Sequence, residues 1–197
     1  MTALPNHTAL KEWASVNAAL AGGDQIILLR KGGIADPRFG LEADRFYLFP
    51  TYLHQKEKQF KPEKRSWFAQ TDREDTAPSH VSIRSWAEVT GVDVVSDLET
   101  LLALEPHVIF TRETIEERYR FRPDQAVHVL TLRVWNLPEP VNVQADRPEY
   151  HGCVSWISLE EPIDVEGSVP ALSDSEIGKL RRPLREVLSA KTRAESR

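Results

Sequence analysis

Two short apolar runs separated by a polar segment constrain the fold of this chain more than any other feature. The first run, residues 26–29, is continuously apolar, which is typical of a β-strand covered on both faces. The second run, residues 46–49, ends at Pro50, and proline lacks the N–H group that a strand ladder needs. We therefore predict two buried strands, whose relative direction the sequence leaves open.

Polar residues follow both predicted strands and suggest a ligand site. Two cations and two glycines end the first strand, and glycine backbone N–H groups can approach an anion with no side chain in the way. A solvated turn would have the same composition. We predict that the polar residues converge on one pocket for a phosphate or carboxylate group. The predicted ligand-binding residues are Arg30, Lys31, Gly32, Gly33, Thr51, His54 and Gln55, and the predicted pocket wall holds Cys153 and Trp156.

A lysine-rich segment with interleaved aromatic residues comes next, at residues 56–67. Cations that neutralise phosphates and rings that stack on bases are what a single-stranded nucleic-acid surface needs. A solvated, charged loop shares this pattern, so both interpretations stand. The predicted nucleic-acid-binding residues are Lys56, Lys58, Lys61, Lys64 and Arg65.

The remaining periodicity predicts a mixture of helices and strands. Helices are predicted over residues 10–21, over residues 98–104 after a cap at Asp97, and over residues 113–120 after a cap at Thr111. A last amphipathic helix begins at a capping box of Ser173 and Glu176. Strands are predicted over residues 81–95 with a bend at Gly91, 108–110, 126–137 and 152–158, and Pro138, Pro140 and Pro148 mark an irregular connection.

These elements predict an α+β fold built on a single curved, largely antiparallel sheet. The N-terminal helix packs on the sheet through Trp13, and the C-terminal amphipathic helix is added last. We expect a single domain over residues 1–197, with a core at about 8–165 and the C-terminal helix at about 173–190.

Composition limits the classes of function. The formal net charge of −5 argues against a protein that coats nucleic acid indiscriminately, although a local basic patch is compatible with it. The single cysteine, Cys153, excludes an internal disulfide, and the first residues do not have the pattern of a signal peptide, so we expect a cytoplasmic protein. No apolar run approaches the ~20 residues that span a bilayer, so we expect no membrane partner.

Several common catalytic motifs are missing from the sequence. It has no P-loop, no Rossmann glycine fingerprint, no zinc-type cysteine and histidine spacing and no glutamate-rich Nudix box. No carboxylate stands two positions before a lysine, the spacing by which restriction-type nucleases hold magnesium. We therefore expect no cofactor and no metal, and the pattern favours a protein without catalysis over an enzyme.

The segments LRKGGI, FYLFPTYLHQ and YHGCVSW, together with LKEWASVNAAL near the start, resemble the bacterial domain of unknown function (DUF) 1802 family. The resemblance covers the chain from about Leu10 to about Pro162. Some members of that family are linked with restriction-endonuclease-like domains. The resemblance therefore implies a role close to DNA restriction or repair, with no residue-level mechanism.

Three classes of function follow from these features. The leading hypothesis is a nucleic-acid-associated or accessory module that binds DNA or RNA. The second is an enzyme or binding protein for a small phosphorylated or nucleotide ligand, held by the predicted pocket. The third is a protein-interaction subunit that uses the C-terminal helix to contact a restriction-type or other protein partner.

Overall fold

One curled sheet organises the fold, and the helices pack on it. The computed structural model describes residues 3–4, 6–31, 40–71, 78–152 and 154–194, so the predicted site residues Gly32, Gly33 and Cys153 lie outside the described residues. The strands are β1 (Thr8–Trp13), β2 (Ile27–Arg30), β3 (Arg45–Thr51), β4 (His80–Val95), β5 (Val127–Gln144), β6 (Trp156–Ser158) and β7 (Val169–Pro170). The α-helices are α1 (Ala14–Ala21), α2 (Arg65–Thr71), α3 (Leu98–Ala103), α4 (Arg112–Arg120) and α5 (Asp174–Ala194).

The strands follow the order β2-β5-β4-β3-β1-β6, with β7 paired to β5. β1 and β3 are parallel, whereas the other described strand pairs are antiparallel. The predicted α+β fold with one curved, largely antiparallel sheet is therefore confirmed. The two strands from the apolar runs, β2 and β3, are not neighbours, because β5 and β4 lie between them.

The predicted N-terminal helix is wrong in its first turn. Residues 10–13 belong to β1, where Leu10 lies between Leu48 of β3 and Trp156 of β6 and has no exposed surface. The helix begins only at Ala14 and ends at Ala21, as predicted, with Gly22 as its C-cap. Pairing with strands on both sides satisfies the backbone of β1, and this tertiary context overrides the helical spacing of the side chains.

Of the three prolines predicted to mark an irregular connection, Pro138 and Pro140 lie in a bulge inside β5, whereas Pro148 lies beyond the end of that strand. Ile83 pairs with Val141 and Ser85 pairs with Asn136, so β5 carries residues 137–140 where β4 carries only Arg84. Pro138 and Pro140 cannot donate to a ladder, and a bulge removes that requirement. The predicted bend at Gly91 coincides with a second shift of register between β4 and β5.

Helix ends follow the predicted capping chemistry. Asp97 and Thr111 accept hydrogen bonds from backbone N–H groups at the starts of α3 and α4, and the Ser173 backbone N–H donates to Glu176 before α5.

Two predicted strands are shorter in the structure. Residues 108–110 do not form a strand, although Phe110 forms an isolated bridge with Phe60. The predicted strand at 152–158 is confined to β6.

Hydrophobic side chains fill both faces of the sheet. Along β3, Phe46 and Leu48 enter one cluster and Tyr47 and Phe49 enter the other, which explains why the run is continuously apolar. The apolar stripe of α5 packs on the first cluster, mainly through buried Ile177 and Leu184. Within the part of the chain that the structure describes, no helix combines the length and apolarity needed to span a membrane.

Candidate functional site

The two cations that end β2 make contacts within the protein. Arg30 Nη1 lies 2.8 Å from Glu12 Oε2 and donates to the Lys11 carbonyl at 3.2 Å. Lys31 Nζ donates to the Tyr119 carbonyl at 2.6 Å and lies over the Tyr119 ring. Both cations therefore already serve as structural links between elements of the fold.

The polar residues after β3 approach the same junction between β1 and α1. Gln55 is buried, and its Oε1 accepts a hydrogen bond from Ser15 Oγ at 2.9 Å. Thr51 pairs with Trp13 in the sheet register, and His54 is exposed with a positive φ of 68°. Arg30 and Gln55 thus contact residues 11–15, and the predicted wall residue Trp156 pairs with Leu10 of β1. Trp156 is buried, donates to the Gly40 carbonyl at 2.7 Å and packs edge-on against Phe46.

A second buried arginine, Arg118, lies close to the Arg30–Glu12 ion pair. The Arg118 guanidinium lies over the Trp13 ring at 4.6 Å and the Phe110 ring at 4.3 Å. Burial lowers the pKa of Arg118, the Glu12 charge opposes that shift, and the Arg30 charge adds to it. Glu12 therefore pairs with Arg30, and its charge also favours the charged form of Arg118.

The lysine-rich segment is only partly free to meet a polyanion. Lys61 Nζ lies 3.1 Å from Glu105 Oε1, and Lys64 Nζ lies 2.8 Å from both carboxylate oxygens of Asp24. Arg65 Nε lies 4.0 Å from Glu57 Oε1, whereas Lys56 and Lys58 are exposed. Of the interleaved rings, Phe60 is fully buried and stacks on Phe68. The surface that this segment offers therefore centres on its beginning and on α2, which follows it.

A groove of about 740 Å³ lies between α1, α2 and the strands β3, β4 and β5. Leu48, Pro50 and Tyr52 line it from β3 and the residues just after that strand. Ser82, Arg84 and Ser85 contribute from β4, and the proline bulge of β5 closes one side. The bulge thus has a consequence for the site, because it shapes one wall of the groove.

Helix α1 contributes small residues and one amide to the groove. Ala14, Asn17, Ala18 and Ala21 share one face at helical spacing, and all four line the groove. Asn17 is only 7% exposed, and neither Oδ1 nor Nδ2 has a hydrogen-bond partner within the described residues. A buried donor or acceptor without a hydrogen bond lowers the free energy of unfolding by about 1–3 kcal/mol. The Asn17 amide therefore has hydrogen-bonding capacity that the described residues do not use.

Trp67 of α2 forms the opposite rim and is held in a fixed position. Its Nε1 donates to Asp24 Oδ2 at 2.7 Å, and its ring covers Gly22, where an added Cβ would lie 2.3 Å from Trp67 Cη2. Burial raises the pKa of Asp24, but the hydrogen bonds from Lys64 and Trp67 and the charges of Lys64 and Lys61 outweigh it and lower that pKa. A charged Asp24 therefore orients the indole beside the groove.

The groove combines three kinds of chemistry. Asn17 offers an amide donor and an acceptor, Trp67 offers a partly buried ring, and Arg84 offers an exposed guanidinium. Ser85 is buried in the floor, and the Asn136 amide is held by a hydrogen bond to the Ala21 carbonyl at 2.9 Å. Such a set can bind a flat polar ring whose substituents carry negative charge.

Sequence reasoning did not single out Asn17 or Arg84. Asn17 lies within the helix predicted over residues 10–21, and that prediction begins the helix four residues too early. With the helix starting at Ala14, the asparagine falls in line with Ala14, Ala18 and Ala21, and a lone amide among small residues is the signal that could have identified it. Arg84 lies in the bulged register between β4 and β5, which periodicity cannot reveal.

Among the residues that the structure describes, no group of three or more histidine, cysteine, aspartate or glutamate side chains is arranged to hold a metal ion.

The fold and the groove define an α+β domain with a groove between two helices and the inner strands of a curled sheet. The chain belongs to the family described as domain of unknown function (DUF1802), whose model matches residues 9–182. The resemblance seen in the sequence is therefore confirmed, and the match extends into α5. A comparison with curated proteins finds no match to this sequence.

Solved structures with a similar course of the chain come from Zymomonas mobilis. ASCH from that organism is 14% identical, with 88% of this chain and 92% of that chain covered and a TM-score of 0.47. A serine-to-alanine mutant of that protein is 13% identical, with 90% and 97% covered and a TM-score of 0.47. A tyrosine-to-phenylalanine mutant is 14% identical, with 88% and 95% covered and a TM-score of 0.46.

Proposed function

We propose that this protein binds single-stranded nucleic acid in the cytoplasm and takes one base into the groove between α1, α2 and the sheet. The observation that carries the proposal is the Asn17 amide, which is 7% exposed, lines the groove and has no partner for either polar atom among the described residues. An asparagine amide pairs with a base edge that presents a donor beside an acceptor.

The surroundings of Asn17 supply the other two contacts that a nucleotide needs. Trp67 offers a ring for stacking, and base–aromatic stacking contributes about 1–3 kcal/mol per base. Arg84 is exposed in the same groove, where a guanidinium can bind a backbone phosphate through two parallel hydrogen bonds. The exposed Lys56 and Lys58 precede α2 and extend the positive surface away from the groove.

In this proposal, the residues of the predicted pocket, Arg30, Thr51 and Gln55, stabilise the helices beside the groove. Gln55 accepts a hydrogen bond from Ser15, whose Oγ also lies 3.0 Å from Thr71 Oγ1 in the groove lining. This chain of hydrogen bonds ties α1 to α2, so the two helices hold the groove at a fixed width. We assign the residues after β3 to shaping the site and not to contacting the base.

The proposal is tested by fluorescence anisotropy with labelled single-stranded oligonucleotides of equal length and different base composition. Asn17→Leu keeps the branched outline of the side chain, although leucine is bulkier, and removes both polar atoms, so we expect affinity for the preferred base to fall by about 5- to 150-fold, the equivalent of 1–3 kcal/mol. Gln144→Leu is the matched control, because it makes the same kind of change at an exposed residue of β5 outside the groove lining. Equal affinities for wild type and Asn17→Leu would contradict the proposal.

The same assay separates the classes of ligand. A preference for single-stranded DNA would support the role near DNA restriction or repair that the family resemblance implies, and a preference for RNA would count against that role. Competition by a free mononucleotide at similar affinity would favour the alternative of a small nucleotide ligand, because the neighbouring backbone phosphates would then add nothing to binding.

A further inference from the structure

A second positively charged surface lies on α5, away from the groove residues. Helical spacing places Arg181, Arg182 and Arg185 on one side of the helix, next to the buried stripe. Arg133 of β5 completes the set across a concavity of about 510 Å³. A second concavity of about 380 Å³ on the other side of the helix shares Arg181 and Arg185. We name these four residues the arginine cluster.

The arginine cluster holds more positive charge than its neighbours neutralise. Four arginines and two carboxylates, Asp174 and Glu186, line the larger concavity, which leaves a formal excess of two positive charges on a chain whose net charge is −5. Arg133 Nη2 lies 2.7 Å from Asp174 Oδ1, yet that carboxylate is highly exposed. Like charges four residues apart on a helix, as in Arg181 and Arg185, repel each other and destabilise the helix.

Two guanidinium groups of the cluster are also left partly unsatisfied. The Nε atoms of Arg133 and Arg181 are buried without a hydrogen-bond partner within the described chain. Arg181 is oriented by its Nη2, which donates to Thr90 Oγ1 at 2.6 Å. Burial lowers the pKa of Arg181, and the neighbouring charges of Arg185 and Arg133 lower it further. A bound anion would relieve the repulsion between these side chains and supply the missing acceptors.

We propose that the arginine cluster is a binding site for a phosphate group, separate from the groove. Phosphate fits because its oxygens accept several hydrogen bonds at once and guanidinium groups present donors in pairs. A dianionic phosphate would also neutralise the formal excess charge of the larger concavity. The phosphate can belong to a small molecule or to a nucleic-acid backbone, and the chemistry of recognition is the same for both.

The test uses the full chain and sodium pyrophosphate as the probe, measured by isothermal titration calorimetry at constant ionic strength. We expect saturable binding to wild type and at least a tenfold loss of affinity in Arg185→Ala, with unfolding temperatures confirming that the variant is folded. Lys179→Ala is the control, because it removes one positive charge from an exposed position of the same helix that lines neither concavity. Its affinity should stay within twofold of wild type.

A second arm identifies the source of the phosphate and keeps this site distinct from the groove. If Arg185→Ala weakens oligonucleotides of every composition equally and reduces the salt slope by about 0.7, the phosphate belongs to a nucleic-acid backbone. If only pyrophosphate binding falls, the ligand is a small phosphorylated molecule. Asn17→Leu should bind pyrophosphate as wild type does. Absence of saturable binding to wild type, or an equal loss in Lys179→Ala, would overturn the proposal.

Discussion

Replacing Asn17 with leucine should stabilise the free protein while it removes base recognition. The asparagine side chain is 7% exposed and leaves two polar atoms without partners among the described residues. Each unpaired buried group costs about 1–3 kcal/mol, and an apolar side chain of similar shape removes that cost. We expect a net gain of about 1–3 kcal/mol in the free energy of unfolding, because leucine does not fit the site perfectly. For a domain of this size, 1 kcal/mol corresponds to about 2–4 °C in the unfolding temperature.

The assay is urea denaturation followed by tryptophan fluorescence, with Asn17→Ala as a second variant. Alanine also removes the two polar atoms but leaves a void, so it should be less stable than leucine at the same position. If Asn17→Leu lowered the free energy of unfolding by more than about 1 kcal/mol, the amide would have a partner in the free protein. The inference that it awaits a ligand would then be wrong.

Three further predictions concern residues that support the site. Gly22→Ala should lower the free energy of unfolding by about 1–3 kcal/mol and weaken oligonucleotide binding, because the new Cβ would lie 2.3 Å from Trp67 Cη2. Gly178→Ala is its control: nothing lies within 4 Å of the new Cβ, so this substitution should raise the free energy of unfolding by about 0.5–1 kcal/mol. Glu12→Gln should lower the free energy of unfolding by about 3–5 kcal/mol, since it removes the carboxylate charge that pairs with Arg30. A loss below about 1 kcal/mol in thermal unfolding would show that the pair is effectively solvated. Asp24 has a lowered pKa in the folded state, so its contribution to stability is complete above the ordinary value of 3.8 and is lost as the pH falls through the folded value. Asp24→Asn should abolish that part of the acid dependence in pH-resolved denaturation, and an unchanged acid profile would contradict the assignment.

Sequence periodicity predicted the elements whose burial is decided locally. The alternation along β4 and β5, the caps at Asp97 and Thr111, and the apolar stripe of α5 each follow from neighbouring residues, and the structure contains them. The run at residues 46–49 correctly predicted a strand, and its side chains alternate between two hydrophobic clusters.

The parts that the sequence did not reveal depend on contacts between distant segments. Residues 10–13 have helical spacing but form β1, because β3 and β6 flank them and satisfy their backbone. The prolines at 138 and 140 indicated a break, yet the long partner strand β4 carries the pairing past them. The groove was missed for the same reason, since its lining comes from α1, α2 and three strands that only the folded chain brings together.

The central claim, that the groove takes a nucleotide base on Asn17, is tested most directly by nuclear magnetic resonance of the side-chain amide. In a titration of the uniformly labelled protein with a single-stranded oligonucleotide, the Asn17 Nδ2 signals should shift and saturate at the same midpoint as the anisotropy curve. The Gln144 side-chain amide, which is exposed and does not line the groove, should shift no more than the signals of other surface residues. Binding that saturates while the Asn17 signals remain unchanged would contradict the account.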